Sequence, residues 1–138
     1  MARFTYDAGT VGAAGLDGMS RDRIRRIVEA GADAAVEHMR ERILDMHTRT
    51  GDMARSVAKS EYREVLGGGS MTVYPQGPDR KGADNTKKAF VINYGRGGTR
   101  KKGRMGDHFI DRDTAAEETV LAAMQRETEA VMAEIAGT

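Results

Sequence analysis

The chain has 138 residues, 31% of them charged, and a formal net charge of +1. That length can bury a hydrophobic core, and the overall charge favours no acidic partner. The chain contains no cysteine, which excludes disulfides and thiolate metal sites and is typical of a reducing compartment. No apolar run approaches the ~20 residues of a membrane span, and the N-terminus lacks a signal-peptide core. We therefore expect no membrane partner and no export through the secretory route.

Residues 1–19 are rich in glycine and alanine and show no sustained hydrophobic period. We predict a flexible N-terminal arm that has little structure of its own and is ordered by a partner. The apolar residues it could dock are Phe4, Tyr6, Val11 and Leu16. Residues 20–138 are predicted to form a single domain.

The segment from Ser20 to Ser56 predicts one long helix followed by a tight turn. Apolar residues recur at steps of three and four, which draws one stripe along a helix of roughly 25 residues, about 40 Å long. The stripe consists of Ile24, Ile27, Val28, Gly31, Ala35, Met39, Ile43 and Met46. Ser20 suits the N-cap, and Asp22 suits the first turn, where the helix dipole favours negative charge. Gly51 can adopt the left-handed conformation that ends a helix, and residues 52–56 are predicted to form a single turn.

The middle of the chain predicts strands. Residues 57–66 and 71–74 favour an antiparallel hairpin closed by the three glycines at 67–69. Both prolines fall in residues 75–84, which predicts a loop outside the sheet. Ala89–Tyr94 is short, apolar and rich in β-forming residues, so a buried strand is predicted there. A short helical turn near Asn93 and Tyr94 is the alternative.

A second amphipathic helix is predicted from near Ile110 to the C-terminus. Thr114 with Glu117 fits a capping box, and Asp111 and Asp113 are equally suitable caps. Its apolar stripe consists of Ile110, Leu121, Met124, Val131, Met132 and Ile135. The predicted fold is α+β, with the long N-terminal helix and the C-terminal helix packed on one face of a small antiparallel β-sheet. Such a sheet leaves at least one edge open, where another copy could pair.

The charges are strongly segregated along the chain. Residues 86–104 contain seven basic residues and no acidic one, whereas residues 105–138 contain eight acidic residues and two basic ones. These blocks could be complementary faces of neighbouring copies, or simply a solvated loop and a solvated helix. Residues 95–106 are predicted to form a mobile basic loop. Its basic residues, Arg96, Arg100, Lys101, Lys102 and Arg104, could contact an adjacent subunit, another protein or a nucleic-acid backbone.

The residues offer little support for catalysis. His38 and His47 lie nine positions apart, too far along a helix to share a metal ion. His108 with Asp111 and Asp113 could coordinate a cation, although both aspartates are better suited to starting the last helix. The serines lack a nucleophile-elbow context, and the glycine runs do not fit a phosphate-binding loop. An enzyme is therefore the weaker class, and a hydrolase or nuclease would depend on His108 or Asp111 and a divalent metal. We predict no cofactor.

In order and spacing, the motifs of residues 20–135 resemble the tail-completion and head–tail joining proteins of tailed phages, which are often named minor tail components. In that family a long helix precedes a Thr-Gly turn, an apolar residue and a serine, here Thr50, Gly51, Met53 and Ser56. An apolar-aromatic segment ending in glycine follows, here 89–95 with Asn93, Tyr94 and Gly95. A short aromatic motif then opens the last helix, here His108-Phe109-Ile110. The chain departs from the family in lacking a proline before Thr50-Gly51 and in its longer, more basic loop.

The resemblance implies a structural virion protein rather than an enzyme. Such proteins form rings, typically six-fold, at the head-proximal end of the tail, where they complete the tail tube. The implied partners are further copies of the chain, the tail tube protein and the head connector or adaptor protein, with DNA in the channel as a further candidate. The implied location is the neck of the virion, after assembly in the host cytoplasm. The alternative function is a nucleic-acid-binding module that uses the basic loop.

Overall fold

The computed structural model describes residues 2–7, 9–47, 51–65, 67–96, 104–105 and 114–137. The helices are α1 (Arg21–His47), α2 (Asp52–Arg55), α3 (Asn85–Tyr94) and α4 (Thr114–Ala136). The strands are β1 (Arg3–Asp7), β2 (Thr10–Ala14), β3 (Val57–Lys59), β4 (Arg63–Val65), β5 (Gly68–Pro75), β6 (Gly95–Arg96) and β7 (Arg104–Met105).

Five of these strands form one antiparallel sheet, and the predicted α+β fold is confirmed. The strand order is β1-β2-β5-β3, and β4 pairs with the other half of β5. Helices α1 and α4 pack against each other, α1 also contacts β2, β3 and β5, and α4 contacts β1. The core lies between this helical layer and the sheet because both helices turn an apolar stripe toward the strands.

Helix α1 confirms the prediction for the N-terminal half of the chain. The stripe from Ile24 to Ile43 is buried; the side chain of Met46 lies outside the described residues. The backbone N–H of Arg23 donates to Ser20 Oγ at 3.4 Å, as expected for an N-cap. Gly51 has φ of 79°, in the left-handed region, and the predicted single turn follows it as α2.

The prediction of an N-terminal arm with little structure is wrong. Strands β1 and β2 pair from Arg3 with Ala14 to Asp7 with Thr10, and β2 also pairs with the central strand β5. Val11 is fully buried, and Phe4 packs against the core. These strands belong to the main sheet because their small and apolar side chains complete the layer beneath the helices.

The predicted hairpin in the middle of the chain is confirmed, with a change at its turn. Strand β4 pairs with β5 from Arg63 opposite Ser70 to Val65 opposite Gly68. Of these three glycines, only Gly67 has a positive φ, of 76°, while Gly68 and Gly69 belong to β5. These two strand glycines admit neighbouring groups, since a Cβ on Gly69 would lie 2.0 Å from the Tyr62 hydroxyl oxygen.

The strand predicted at Ala89–Tyr94 is wrong, because these residues form the C-terminal part of α3. Asp84 caps this helix: its Oδ1 atom accepts from the N–H of Thr86 at 3.0 Å. Asn85, Ala89 and Asn93, spaced four residues apart, are all buried. This helical spacing and the cap outweigh the β-propensity of the apolar run.

Helix α4 is present as predicted, but its buried face differs from the predicted stripe. Met132 and Ile135 are 52% and 36% exposed, whereas Val120 is fully buried. The register of this face is stabilised from α1 by Arg26. Its guanidinium donates to Glu127 Oε1 at 2.8 Å and to Glu134 Oε2 at 2.8 Å. Two carboxylates of the acidic C-terminal block therefore pair within the chain.

Candidate interaction surface

The residues that follow the Gly51 turn form a charged junction with a distant loop. Asp52 is the first residue of α2, and its side chain is only 14% exposed. The Arg80 guanidinium donates two hydrogen bonds to this carboxylate, from Nε to Oδ2 at 2.8 Å and from Nη2 to Oδ1 at 2.9 Å. Arg55 also pairs with Asp52. The hydrogen bonds from the Arg80 side chain hold the pKa of the Asp52 carboxyl well below its ordinary range.

The loop that carries Arg80 is ordered by a second carboxylate. Asp79 accepts hydrogen bonds from the backbone N–H groups of Lys81, at 2.8 Å, and Ala83, at 2.9 Å. It also forms an ion pair with Lys88 of α3, and this ion pair with the two backbone bonds lowers the pKa of Asp79. The loop between β5 and α3 therefore links α2 to α3 through two ion pairs.

Helix α3 buries two polar amides and exposes an aromatic ring. Asn85 and Asn93 are each 1% exposed, whereas Phe90 is 56% exposed. The helix contacts α2, and the N–H of Asn85 donates to the carbonyl of Gly77 at 2.9 Å. We name the unit formed by α2, residues 76–84 and α3 the α2–α3 corner.

A basic hairpin leaves this corner at the end of α3. Strands β6 and β7 pair Gly95 with Met105 and Arg96 with Arg104. Two positions of the predicted basic loop, Arg96 and Arg104, are thus paired, whereas residues 97–103 lie outside the described residues.

The structure brings several predicted site residues together at this corner. Gly51 and Ser56 flank α2, and Ser56 Oγ donates to the carbonyl of Met53 at 2.6 Å. Asn93 lies in the adjacent α3, and the backbones of Tyr94, Gly95, Arg96 and Arg104 continue into the hairpin. The remaining predicted residues, Thr50, Arg100, Lys101, Lys102 and Phe109, lie outside the described residues.

Sequence reasoning missed the residues that join the corner. Arg80, Asp79 and Lys88 stand in a segment that was predicted as a loop and a strand flank, and nothing in their spacing links them to Asp52. The one available signal was Asp84, whose position before Asn85 and Thr86 is typical of a helix N-cap.

An open groove of about 730 Å³ lies beside the corner, between the outer face of β5 and the loop. Thr72, Asp84 and Thr86 contribute polar groups to its lining. With a single carboxylate and no histidine, the lining offers no acid–base pair. Within the described ranges no group of three or more His, Asp or Glu residues could hold a metal ion. The proposed cation ligands His108, Asp111 and Asp113 lie outside those ranges. No helix in the described part of the chain is long and apolar enough to cross a membrane.

We compared the chain with protein-family models, with curated proteins and with solved structures, and none of the three comparisons gave a match.

Proposed function

We propose that the chain is a structural protein of a tailed phage or a phage-like particle. It would form a ring at the head-proximal end of the tail, complete the tail tube and join it to the head connector. The basis is the ordered set of motifs that resembles tail-completion and head–tail joining proteins. The observation that carries the proposal is the contact between α2 and α3. Two motifs separated by about 40 residues meet in one corner, and the chain enters the basic hairpin directly after α3.

In the proposed role, the corner supports a surface that contacts another protein. Two ion pairs and a set of loop hydrogen bonds fix α3 against α2, while Phe90 remains exposed. An exposed aromatic ring on a helix held in this way suits contact with another protein surface. In the proposed ring, this surface would meet a neighbouring subunit or the adjacent ring, and head-to-tail contacts of this kind close on themselves.

The solution mass, measured by light scattering over a wide concentration range, tests the proposal. We expect a closed species of about six subunits, either in the free protein or after addition of purified tail tubes. Phe90→Ser should weaken this assembly, whereas Glu118→Gln, an exposed change on α4, should not. A chain that remains monomeric and fails to bind tail tubes would contradict the proposed function.

The second candidate is a nucleic-acid-binding module, which the pairing of Arg96 with Arg104 favours. A variant with all five basic residues of residues 96–104 replaced by glutamine provides the test. If the hairpin neutralises phosphates, the variant should bind duplex DNA more weakly. The slope of log K against log salt should also fall by roughly 0.9 for each phosphate that the variant no longer neutralises. Unchanged affinity and slope would exclude this function for the hairpin.

A further inference from the structure

Strand β1 lies at the edge of the five-stranded sheet. Within the described residues its only sheet partner is β2. The edge of a sheet presents a row of backbone groups with which another strand can pair, and proteins commonly cover or disrupt it. The sequence of β1 and its register instead favour one specific pairing.

The register determines which backbone groups of β1 point outward. The N–H of Val73 in β5 donates to the carbonyl of Gly9 at 2.6 Å. Because backbone groups alternate in direction along a strand, the even-numbered residues of β2 direct theirs toward β1. Their partners are the odd-numbered residues of β1. The N–H and C=O groups of Phe4 and Tyr6 are therefore directed to the outer side of the strand.

The side chains of β1 are arranged symmetrically about Thr5. Phe4 and Tyr6 flank it on the helix-covered face, and Arg3 and Asp7 lie on the opposite, exposed face. Neither Arg3 nor Asp7 forms an ion pair with another residue in the described part of the chain. They are four positions apart along the strand, about 13 Å, too far for a direct contact with each other.

The geometry points to antiparallel pairing of β1 with β1 of a second copy, about a two-fold axis at Thr5. In this register Phe4 lies opposite Tyr6 of the second copy, and the outward backbone groups form two hydrogen-bonded pairs. Arg3 then lies opposite Asp7 of the second copy, and Asp7 opposite Arg3. These are non-hydrogen-bonded positions, where opposing side chains lie closest, so both ion pairs can form.

The side chain of Thr5 does not block the approach of a second strand at the two-fold axis. A Cβ built on Gly12 of β2 would lie 2.9 Å from Thr5 Oγ1, so the threonine side chain leans over β2 rather than over the outer edge. Gly12 provides the space for it. The pairing is independent of the proposed ring, because it relates two copies by a two-fold axis rather than head to tail. In a ring it would join two rings back to back.

A cysteine at the axis tests the pairing directly, because the natural chain contains none. Opposing residues at a non-hydrogen-bonded position have Cα atoms about 4.5 Å apart, within disulfide range. The variant Thr5→Cys should therefore form a covalent dimer under mild oxidation. The matched control is Thr72→Cys, which is exposed on the same face but lies on the central strand β5. It should remain monomeric on a non-reducing gel.

Charge reversal then tests the register. In the Thr5→Cys background, Arg3→Asp or Asp7→Arg alone places like charges opposite each other twice. Either change should slow cross-linking roughly tenfold. Carrying both changes in one chain should restore the wild-type rate. Mixing the two single variants should also restore it, since each copy then supplies one sign of charge at both positions.

These outcomes support or overturn the pairing. It is overturned if Thr5→Cys cross-links no faster than Thr72→Cys, or if charge reversal leaves the rate unchanged. Sedimentation equilibrium of the unmodified chain provides a measurement that does not depend on a variant folding. A two-fold increase in mass at high concentration that is weakened by salt supports the pairing, and a mass independent of concentration and salt overturns it.

Discussion

Gly31 is the position where α1 comes closest to its neighbours, and we expect its replacement by alanine to destabilise the fold. A Cβ at this position would lie 2.6 Å from Met124 Cγ and 2.8 Å from Val11 Cγ1. Met124 belongs to α4 and Val11 to β2, and both are fully buried. The glycine thus sets the distance between α1, the second helix and the sheet.

Helix propensity and core packing act in opposite directions on the free energy of unfolding of Gly31→Ala. Alanine in the middle of a helix is more favourable than glycine by about 1 kcal/mol. Forcing a methyl group into a well-packed core costs roughly 1–3 kcal/mol. The methionine can adjust by changing rotamer, but the β-branched Val11 is held in the sheet and has little freedom to move. We therefore expect the packing term to exceed the propensity term, with a net loss of about 1 kcal/mol in the free energy of unfolding.

Urea denaturation monitored by circular dichroism measures this loss. Ala122→Gly on the exposed face of α4 is the matched control, because it reports the helix-propensity term in the same protein without a packing change. In a double-mutant cycle, Met124→Ala should reduce the cost of Gly31→Ala, since it removes one of the two colliding groups. The reasoning is refuted if Gly31→Ala stabilises the protein by as much as Ala122→Gly destabilises it.

Three further predictions concern other contacts. Gly68→Ala should destabilise the sheet by more than about 3 kcal/mol or prevent folding, because its Cβ would lie 1.8 Å from a backbone carbonyl oxygen of β2; thermal unfolding measures the loss, and a near-native Tm would contradict it. Asp52→Asn should destabilise the protein at neutral pH. Because the folded-state pKa of Asp52 is lowered, the difference from wild type should be constant above about pH 5 and shrink below about pH 4 in denaturation titrations. A difference that does not shrink at low pH would contradict this prediction. Arg26→Gln should accelerate amide hydrogen exchange in residues 126–136 but not in 115–123, because the two ion pairs of Arg26 hold only the C-terminal part of α4. An equal acceleration along the whole helix would contradict this prediction.

The long elements were predictable because their signals are local. In α1 one stripe of apolar residues runs unbroken for over 20 positions, with Ser20 at its start and a left-handed glycine beyond its end. In α4 the helix was predicted but its face was wrong. Met132 and Ile135 were assigned to the stripe by hydrophobicity, whereas the structure buries Val120 instead, in the core where α4 packs against α1. That face depends on packing against a distant helix and could not be deduced from α4 alone.

The wrong predictions at residues 1–19 and at Ala89–Tyr94 arose from different causes. In residues 1–19 the alternation of Phe4 and Tyr6 was a genuine strand signal, but it was hidden by small residues in β2. Those residues are small for a long-range reason, since Gly12 makes room for Thr5 across the ladder. At Ala89–Tyr94 the β-propensity of the residues was real, but Asp84 and the four-residue spacing of Asn85, Ala89 and Asn93 selected a helix.

Within the candidate surface, the motifs were predictable but the corner they form was not. Gly51 was predicted to adopt a left-handed conformation, and it does. The ion pair between Asp52 and Arg80 spans 28 positions, and no local pattern indicates it. Long-range pairs of this kind depend on the paths of the intervening loops, which the sequence constrains only weakly.

The division of side chains on α3 supports an assembled working form. The helix buries two amides, at Asn85 and Asn93, while Phe90 is 56% exposed. A helix at the surface of an isolated protein gains more by the opposite arrangement, because burying a phenyl ring is worth about 1.5–3 kcal/mol whereas burying an amide costs free energy unless it is hydrogen-bonded. Retaining the ring outside is favourable if a second surface covers it. This feature of the corner is thus better satisfied in contact with a partner surface than in the free chain.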